Sequence, residues 1–413
     1  MKYISFYLSF LFTQIIFSQT IIKNIKYSGL ETTKKSFVEK FIKIQKGDSL
    51  EINKLEKETN FLKRLPAFSN VTYSIEKNNN DASVKYLFDE AYTLLPEINF
   101  WSADNQFTYR LGFNEYNLLG RGVHLNLAYQ NNGKSSIFVN TKIPYLIDDF
   151  GIYLGFVSWK TDEPFYQNGS TFMYEYNNNS YEAMVLYDPN FYNHFEFGFN
   201  YFIEKYLALT RVSTNLPQKL NQVKFSLKFN YRLNKANWHF FYIDGIINSF
   251  YSQSVKTQNI SNLYLIFLND FMYFKRIGKS GNLATRFRFG LATNEDSPFS
   301  PFVLDNHVAI RGVGDRIDRG SGVLLLNVEY RHTGWETEWG AIQGVVFSDL
   351  GSWRSPGGSF ADFTKEKSVQ WHIGGGLRFI YKKAFNTILR IDYGFGIGLN
   401  KSSGIVLGFG QYF

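Results

Sequence analysis

Leu324-Leu325-Leu326-Asn327-Val328-Glu329-Tyr330-Arg331 decides how the chain reads. Leu324, Leu326, Val328 and Tyr330 fall on one face of an extended strand, and Asn327, Glu329 and Arg331 fall on the other. Residues 385–396 repeat the pattern, with Leu389, Ile391, Tyr393 and Phe395 opposite Arg390 and Asp392. Both segments are strands with one wholly apolar face. If that face meets lipid, a charge on it near the bilayer midplane costs about 2–4 kcal/mol, so the polar set must point into a lumen.

Composition points the same way. Aromatic residues make up 19% of 413 positions, with 42 Phe and 28 Tyr, yet mean hydropathy is only −0.23. Aromatic richness without long apolar runs fits strands that alternate across a membrane, where a helical span needs about 20 apolar residues in a row. The alternative is a soluble all-β protein. The expected fold class is therefore membrane all-β: an antiparallel transmembrane β-barrel of about sixteen strands behind a small α+β domain.

Strands are expected at 106–114, 122–131, 135–142, 150–160, 171–177, 181–187, 193–205, 222–232, 237–250, 262–274, 281–292, 321–332, 337–350, 368–381, 385–396 and 403–413. The long breaks near 206–221, 251–261, 293–320 and 351–367 then share one end of the barrel. The short connections Asn132-Gly133-Lys134, Leu233 to Ala236 and Lys382 to Ala384 share the other. That asymmetry of long outer loops and short inner turns is a barrel property.

The N-terminus is different in kind. Met1-Lys2 followed by the apolar run Ile4 to Phe17, with a cleavage point at Ser18-Gln19, reads as a signal peptide over 1–18. The run is too short to span a bilayer. Residues 19–92 then read as a domain of their own, with 93–413 as the barrel. Ile21 to Tyr27 alternates as a strand, and Thr32 or Thr33 can cap a helix through Phe41. Asp48 or Ser49 can cap a second helix from Ile52 to Leu62, stopped by Pro66. Phe68 to Glu76 and Ala82 to Phe88 form a hairpin around Asn78 to Asp81.

Catalytic chemistry finds no purchase in the sequence. The chain has no cysteine, so disulfides and thiolate metal sites are excluded. His124, His194, His239, His307, His332 and His372 stand at no metal-ligand spacing, and no nucleophile elbow or phosphate loop appears. No enzyme, metal or cofactor is expected. The net charge of +8 is spread along the chain rather than clustered, which speaks against nucleic acid.

Several local patterns carry a resemblance. Residues 19–92 resemble a POTRA domain, through the opening Ile-x-x-Ile strand ending at Ser28-Gly29, Lys46-Gly47-Asp48, and Ala67-Phe68-Ser69-Asn70-Val71. Asn117-Leu118-Leu119-Gly120-Arg121-Gly122 is similar to the first hairpin motif of the BamA/TamA outer-membrane assembly family. Ile310-Arg311-Gly312 resembles that family's long sixth-loop motif. Asn327-x-Glu329-x-Arg331 and Phe347-x-Asp349-x-Gly351 resemble its twelfth and thirteenth strands. Val313 stands where the family has an aromatic, and only one POTRA-like module is present where BamA has several.

The resemblance implies a loop lock of Arg311 and Gly312 against Glu329 and Asp349. It also implies a protein of the Gram-negative outer membrane, with its N-terminal domain in the periplasm, in contact with outer-membrane lipids. Partners would be unfolded outer-membrane or secreted client proteins, and periplasmic accessory proteins at the POTRA-like domain. Gly404, Gly408 and Gly410 weaken the last strand, and with the terminal Phe413 they mark a lateral seam against the first. The function expected is nucleotide-independent assembly of client strands at that seam. The alternative is a two-partner-type transporter that passes a secreted protein through the lumen.

Overall fold

The computed structural model describes residues 20–413 apart from 104–105, 168–169, 213–215, 240, 259–261, 294–300, 305–308, 314–317, 384–386 and 399–400. The expected signal peptide and His307 lie outside these residues. The N-terminal domain is built from β1 (Ile21–Ser28), α1 (Lys35–Val38), α2 (Ile52–Leu62), β2 (Phe68–Asn78) and β3 (Asp81–Glu90). Strand β1 runs parallel to β3, and β3 pairs antiparallel with β2. The sheet and helices close over Ile22, Phe37, Val38, Phe41, Leu55, Leu62, Val71, Val84 and Phe88. A carboxylate is buried beside this core. The Glu58 carboxylate accepts from the Lys43 and Ile44 N–H groups at 2.9 and 3.1 Å and from the Tyr86 hydroxyl at 3.0 Å. Burial nonetheless raises its pKa above the ordinary carboxylate value.

The helices differ from expectation at their starts. Helix α1 is a single turn capped by neither threonine, and α2 begins after Glu51 rather than on an Asp48 or Ser49 cap. The Thr33 hydroxyl is used instead by the barrel, as described below.

The barrel strands follow: β4 (Leu94–Ala103), β5 (Gln106–Leu118), β6 (Val123–Asn131), β7 (Ser135–Ile147), β8 (Phe150–Gln167), β9 (Ser170–Tyr187), β10 (Asn193–Ala208) and β11 (Lys219–Asn234). After the short β12 (Asn237–His239) come β13 (Tyr242–Thr257), β14 (Leu263–Ile277) and β15 (Gly281–Ala292). The long loop contains a small hairpin of β16 (Phe302–Leu304) and β17 (Asp318–Gly320). The wall is completed by β18 (Gly322–Glu336), β19 (Gly340–Arg354), β20 (Val369–Tyr381), β21 (Thr387–Ile397) and β22 (Ser403–Phe409). Setting aside β12, β16 and β17, these are sixteen antiparallel strands, each hydrogen-bonded to its neighbour, with β22 and β4 side by side at the seam. Closure is what lets the backbone polar groups find partners in a medium that offers none.

Sixteen strands were expected, but two assignments offset each other. Strand β4, which contains Pro96, is not among the strands expected from the sequence. Proline is admitted here because the strand lies at the closing edge of the sheet. Residues 171–177 and 181–187, read as two strands, are one. Asn177, Asn178 and Asn179 favour turns in isolation. Here they pair with Lys160, Trp159 and Ser158 on one side and with Lys205, Glu204 and Ile203 on the other. A ladder on both sides outweighs the local preference.

Those two changes move Asn132-Gly133-Lys134 to the end of the barrel that carries the long loops, because it joins the third and fourth wall strands. The strand expected at 237–250 is displaced to 242–257. The last strand stops at Phe409 rather than running to Phe413. Alternation holds where it was read: Leu389, Ile391, Tyr393 and Phe395 are exposed on the outer wall, while Arg390 and Asp392 are buried inside.

Candidate functional site: a lumenal lock beside a short seam

The centre of the site follows from strand register. Asn327 on β18 faces Asp349 on β19, and both point inward. Glu329 and Arg331 follow on the same face of β18. Arg378 on β20 lies across from Arg390 on β21, one inward position from Asp392. Four adjacent strands thus place alternating acids and guanidiniums on one patch of lumen wall.

Arg311 enters this patch from the long loop and is fully buried, as are Glu329, Asp349, Asp392, Arg331 and Arg378. Its Nε and Nη2 donate to Asp349 Oδ2 and Oδ1 at 2.9 and 3.0 Å, the planar two-pronged match of a guanidinium to a carboxylate. Its backbone N–H donates to the same carboxylate at 3.0 Å, and its Nη1 donates to Glu329. The guanidinium lies 3.5 Å from the centre of the Phe347 ring and 4.3 Å from that of Tyr412. Asn327 holds the loop backbone as well, donating to the Ala309 carbonyl at 2.9 Å and to Asp349 at 2.7 Å.

Around this pair the charges alternate. Glu329 accepts from Arg331 Nε at 2.6 Å. Asp392 accepts from Arg378 at 2.6 and 3.1 Å and stands 3.6 Å from Arg311. Such a network is costly to break in part, because a partner left behind is a buried bare charge.

Backbone makes room for the loop. Gly312 has φ of 87°, and a Cβ there would overlap the backbone of Gly394 on β21. A Cβ on Gly394 would in turn overlap the Arg311 carbonyl. The loop tip therefore rests on bare main chain. Ala309, Ile310 and Val313 pack with Phe302, Leu304, Val323 and Leu325. Val313 is buried in this cluster, an aliphatic side chain where the resembled motif has an aromatic.

The proposed lock set of Arg311, Gly312, Glu329 and Asp349 is thus brought together. Asp392, Arg378, Asn327, Gly394 and Tyr412 complete it, beyond the lock set expected from the sequence. Asp392 is legible as an inward charge, but its meeting with Arg378 depends on register.

The seam residues divide. Strand β22 has seven residues and β4 has ten, whereas β8 and β9 pair over eighteen. A seven-residue strand limits the length of the closing ladder. Ile405, Leu407 and Phe409 face outward, as expected. Gly408 faces the lumen, where a Cβ would approach Arg390 Nη2 to 2.8 Å. Phe413 does not continue the outward row. Gly410, with φ of 81°, ends the ladder by donating its N–H to the Ile388 carbonyl at 2.7 Å, and the chain then turns into the lumen. The first-strand side of the seam is β4, not 106–114.

The Asn117 to Gly122 motif follows the second wall strand, β5, rather than the first. It is a turn with Leu119, Gly120 and Gly122 all at positive φ. Asn117 Oδ1 accepts from the Gly122 N–H at 2.8 Å, and its Nδ2 donates to the Thr33 hydroxyl at 2.9 Å. The Lys34 N–H donates to the Gly120 carbonyl at 2.8 Å. A side chain on Gly120 would meet the Thr32 carbonyl, and one on Gly122 the Phe37 ring. The motif is the seat on which the N-terminal domain rests.

Further contacts continue around the same rim. Phe41 meets Tyr145 edge-on at 4.7 Å, Phe61 stacks on Phe191 at 4.1 Å, and Arg64 donates to the Asn234 carbonyl at 3.4 Å. On the domain side, Glu90 fixes the docking loop by accepting the N–H groups of Glu31, Thr32 and Thr33 at 3.3, 2.9 and 2.7 Å. Burial works against the charge of Glu90, but these bonds outweigh it and hold its pKa below the ordinary carboxylate value.

Among the described residues, no group of three or more His, Asp or Glu side chains is placed to hold a metal ion. The histidines are dispersed through the wall. His194 bridges Asp188 and Glu196 at 2.5 and 3.0 Å, His124 contacts Asn114 at 3.1 Å, and His372 contacts Ser402 at 3.1 Å.

Residues 20–91 match the POTRA family model, described as a surface antigen variable number repeat. The chain is thus a POTRA-domain outer-membrane β-barrel protein. Its particular architecture is one POTRA domain before a near-closed barrel of sixteen strands. The fold is shared with BamA from Haemophilus ducreyi lacking POTRA domains 1–3, at 16% identity over 94% of this chain and 83% of that one, with a TM-score of 0.54. CdiB from Escherichia coli matches at 10% identity over 94% and 76%, with a TM-score of 0.66. CdiB from Acinetobacter baumannii matches at 11% identity over 95% and 74%, with a TM-score of 0.61. No curated protein sequence matches the chain.

Proposed function

We propose that the protein is a nucleotide-independent assembly factor of the Gram-negative outer membrane, with its POTRA domain in the periplasm. Unfolded client proteins would gain strands at the seam between β4 and β22. The observation that carries this reading is the pairing of a plugged lumen with a short seam. The loop held by Arg311 occupies the interior, while the wall closes through two of its shortest strands. A strand edge with unpaired N–H and C=O groups is a template for another strand. Sliding seven residues apart exposes such an edge at far lower cost than parting the eighteen-residue β8–β9 ladder.

The likeness to CdiB favours a second reading, in which a secreted partner passes through the lumen once the loop withdraws. The two readings separate in one experiment. Cysteine pairs between residues 94–100 and 404–409 are oxidised to close the seam, in a chain that has no cysteine of its own. Closure is expected to abolish insertion of barrel clients into proteoliposomes, with reduction restoring it. Full insertion activity with the seam crosslinked overturns the assembly reading. Depletion in cells, followed by an inventory of lost outer-membrane and surface proteins, then identifies the clients.

A further inference from the structure

The four residues after the last strand do not belong to the wall. Beyond Gly410 the chain turns inward, and Gln411, Tyr412 and Phe413 each meet the arginines of the lock. Gln411 accepts twice: its side-chain Oε1 from Arg378 Nε at 3.2 Å and its backbone carbonyl from Arg390 Nη1 at 2.8 Å. The Phe413 carbonyl accepts from Arg331 Nη2 at 3.1 Å. The Tyr412 ring is buried, with the Arg311 and Arg390 guanidiniums 4.3 and 5.0 Å from its centre. The Phe413 ring receives Arg286 and Arg331 at 5.1 and 5.8 Å.

The chemistry of the cluster explains why a tail belongs there. Five arginines, Arg286, Arg311, Arg331, Arg378 and Arg390, surround three carboxylates, Glu329, Asp349 and Asp392. Buried guanidiniums in excess need acceptors and electron-rich ring faces, and the tail supplies both. Arg311 is the link, since the same guanidinium that anchors the long loop to Asp349 also lies against Tyr412.

From this geometry we infer that residues 410–413 form a latch that couples the seam strand to the loop, with Tyr412 and Gln411 as its positioning residues. Strand β22 is short and would otherwise be held on one side by β21 and on the other by the seam alone. The latch pins its end from inside the lumen. When the loop tip leaves, Tyr412 loses one of its cations and the end of β22 loosens. When the tail leaves, Arg311 loses one wall of its seat. Coupling of this kind is reciprocal by linkage. The inference rests on the lock described above and on the proposed importance of the seam, but its test needs no client protein.

Single cysteines report on each side of the coupling. Ala309→Cys sits at the loop tip and Gln411→Cys in the tail, and maleimide labelling of the purified barrel in detergent measures the exposure of each. Tyr412→Ala is expected to raise the labelling rate of Ala309→Cys roughly tenfold, and Arg311→Ala that of Gln411→Cys by a similar factor. Tyr412→Phe keeps the ring against the guanidiniums and is expected to leave Ala309→Cys within about twofold of the parent. Heat-modifiable migration on gels confirms that each variant is a folded barrel. Protection of Ala309→Cys that survives Tyr412→Ala overturns the latch, as does equal deprotection by Tyr412→Ala and Tyr412→Phe. Should Tyr412→Ala not fold, Gln411→Ala is measured at Ala309→Cys instead, where faster labelling supports the latch and an unchanged rate overturns it. Intact coupling in a chain that inserts clients fully with its seam crosslinked would refute the proposed function and leave the latch standing.

Discussion

At the scale of residues, the lock is a problem of unpaired charge. Removing the guanidinium in Arg311→Ala leaves Asp349 and Glu329 buried beside each other with fewer cations, which costs about 3–5 kcal/mol. The expected result is a clearly lower temperature for the folded-to-unfolded gel shift. The double variant Arg311→Ala/Asp349→Ala should fall short of the sum of the two single losses, because each single change already breaks the same pair. Equal, additive losses would mean the two side chains act independently. Gly394→Ala tests the seat rather than the charge. Its methyl group would occupy the place of the Arg311 carbonyl, so the loop must lift. Ala309→Cys should then label faster although every ionic partner remains. Arg311, Glu329 and Asp349 were legible in sequence because a loop arginine and two inward acids stand on neighbouring strands. Gly394 was not, since nothing in Tyr393-Gly394-Phe395 says which loop will lie on it.

At the scale of elements, the turn after β5 and the loop before α1 form one joint. Gly122→Leu is expected to push Phe37 off the turn and release the POTRA domain. Limited proteolysis should then cut residues 29–35 or 91–93 several times faster in the variant. The joint also has a pH dependence whose sign follows from Glu90. Its folded pKa is lowered, so the stabilisation is fully present above the ordinary value near 4.5 and is lost as pH falls through the lowered one. Protease sensitivity of residues 29–35 should therefore rise on acidification below about 4.5, and Glu90→Gln should show the sensitive state at neutral pH. An acid-independent cleavage rate in the parent chain would remove Glu90 from this role. The turn chemistry of Asn117 to Gly122 was readable from its residues, but its docking partner was not. The residues that meet it, Thr32 to Phe37, lie more than eighty positions away and were read as the start of a longer helix.

At the scale of the molecule, the long loop either fills the lumen or leaves a pore. Deleting residues 294–317 removes Arg311 while sparing the ends of β15 and β18. The planar-bilayer conductance of that variant is expected to be several times larger and steadier than that of the full chain. Unchanged conductance would mean that some other part of the chain blocks the passage. The POTRA domain contributes asymmetry to this picture. Its described contacts reach the turns after β5, β7, β9 and β11, which lie outside the lock-bearing strands β18 to β21.

The sequence by itself determined what each strand must do. Period-two alternation, with charges on one face only, requires a lumen on that face and lipid on the other, because a lipid-exposed charge is too costly to keep. It also determined that an arginine loop precedes two strands bearing inward acids. What it left to the tertiary structure was every question of neighbourhood. Pro96 and the asparagines at 177–179 carry local preferences that oppose strands, and only pairing with distant segments overrides them. Phe413 looks from its spacing like one more lipid-facing aromatic. The positive φ at Gly410 and the arginines gathered from β15, β18, β20 and β21 turn it inward instead. Such decisions depend on register across the closed sheet, and register is set by all sixteen strands together.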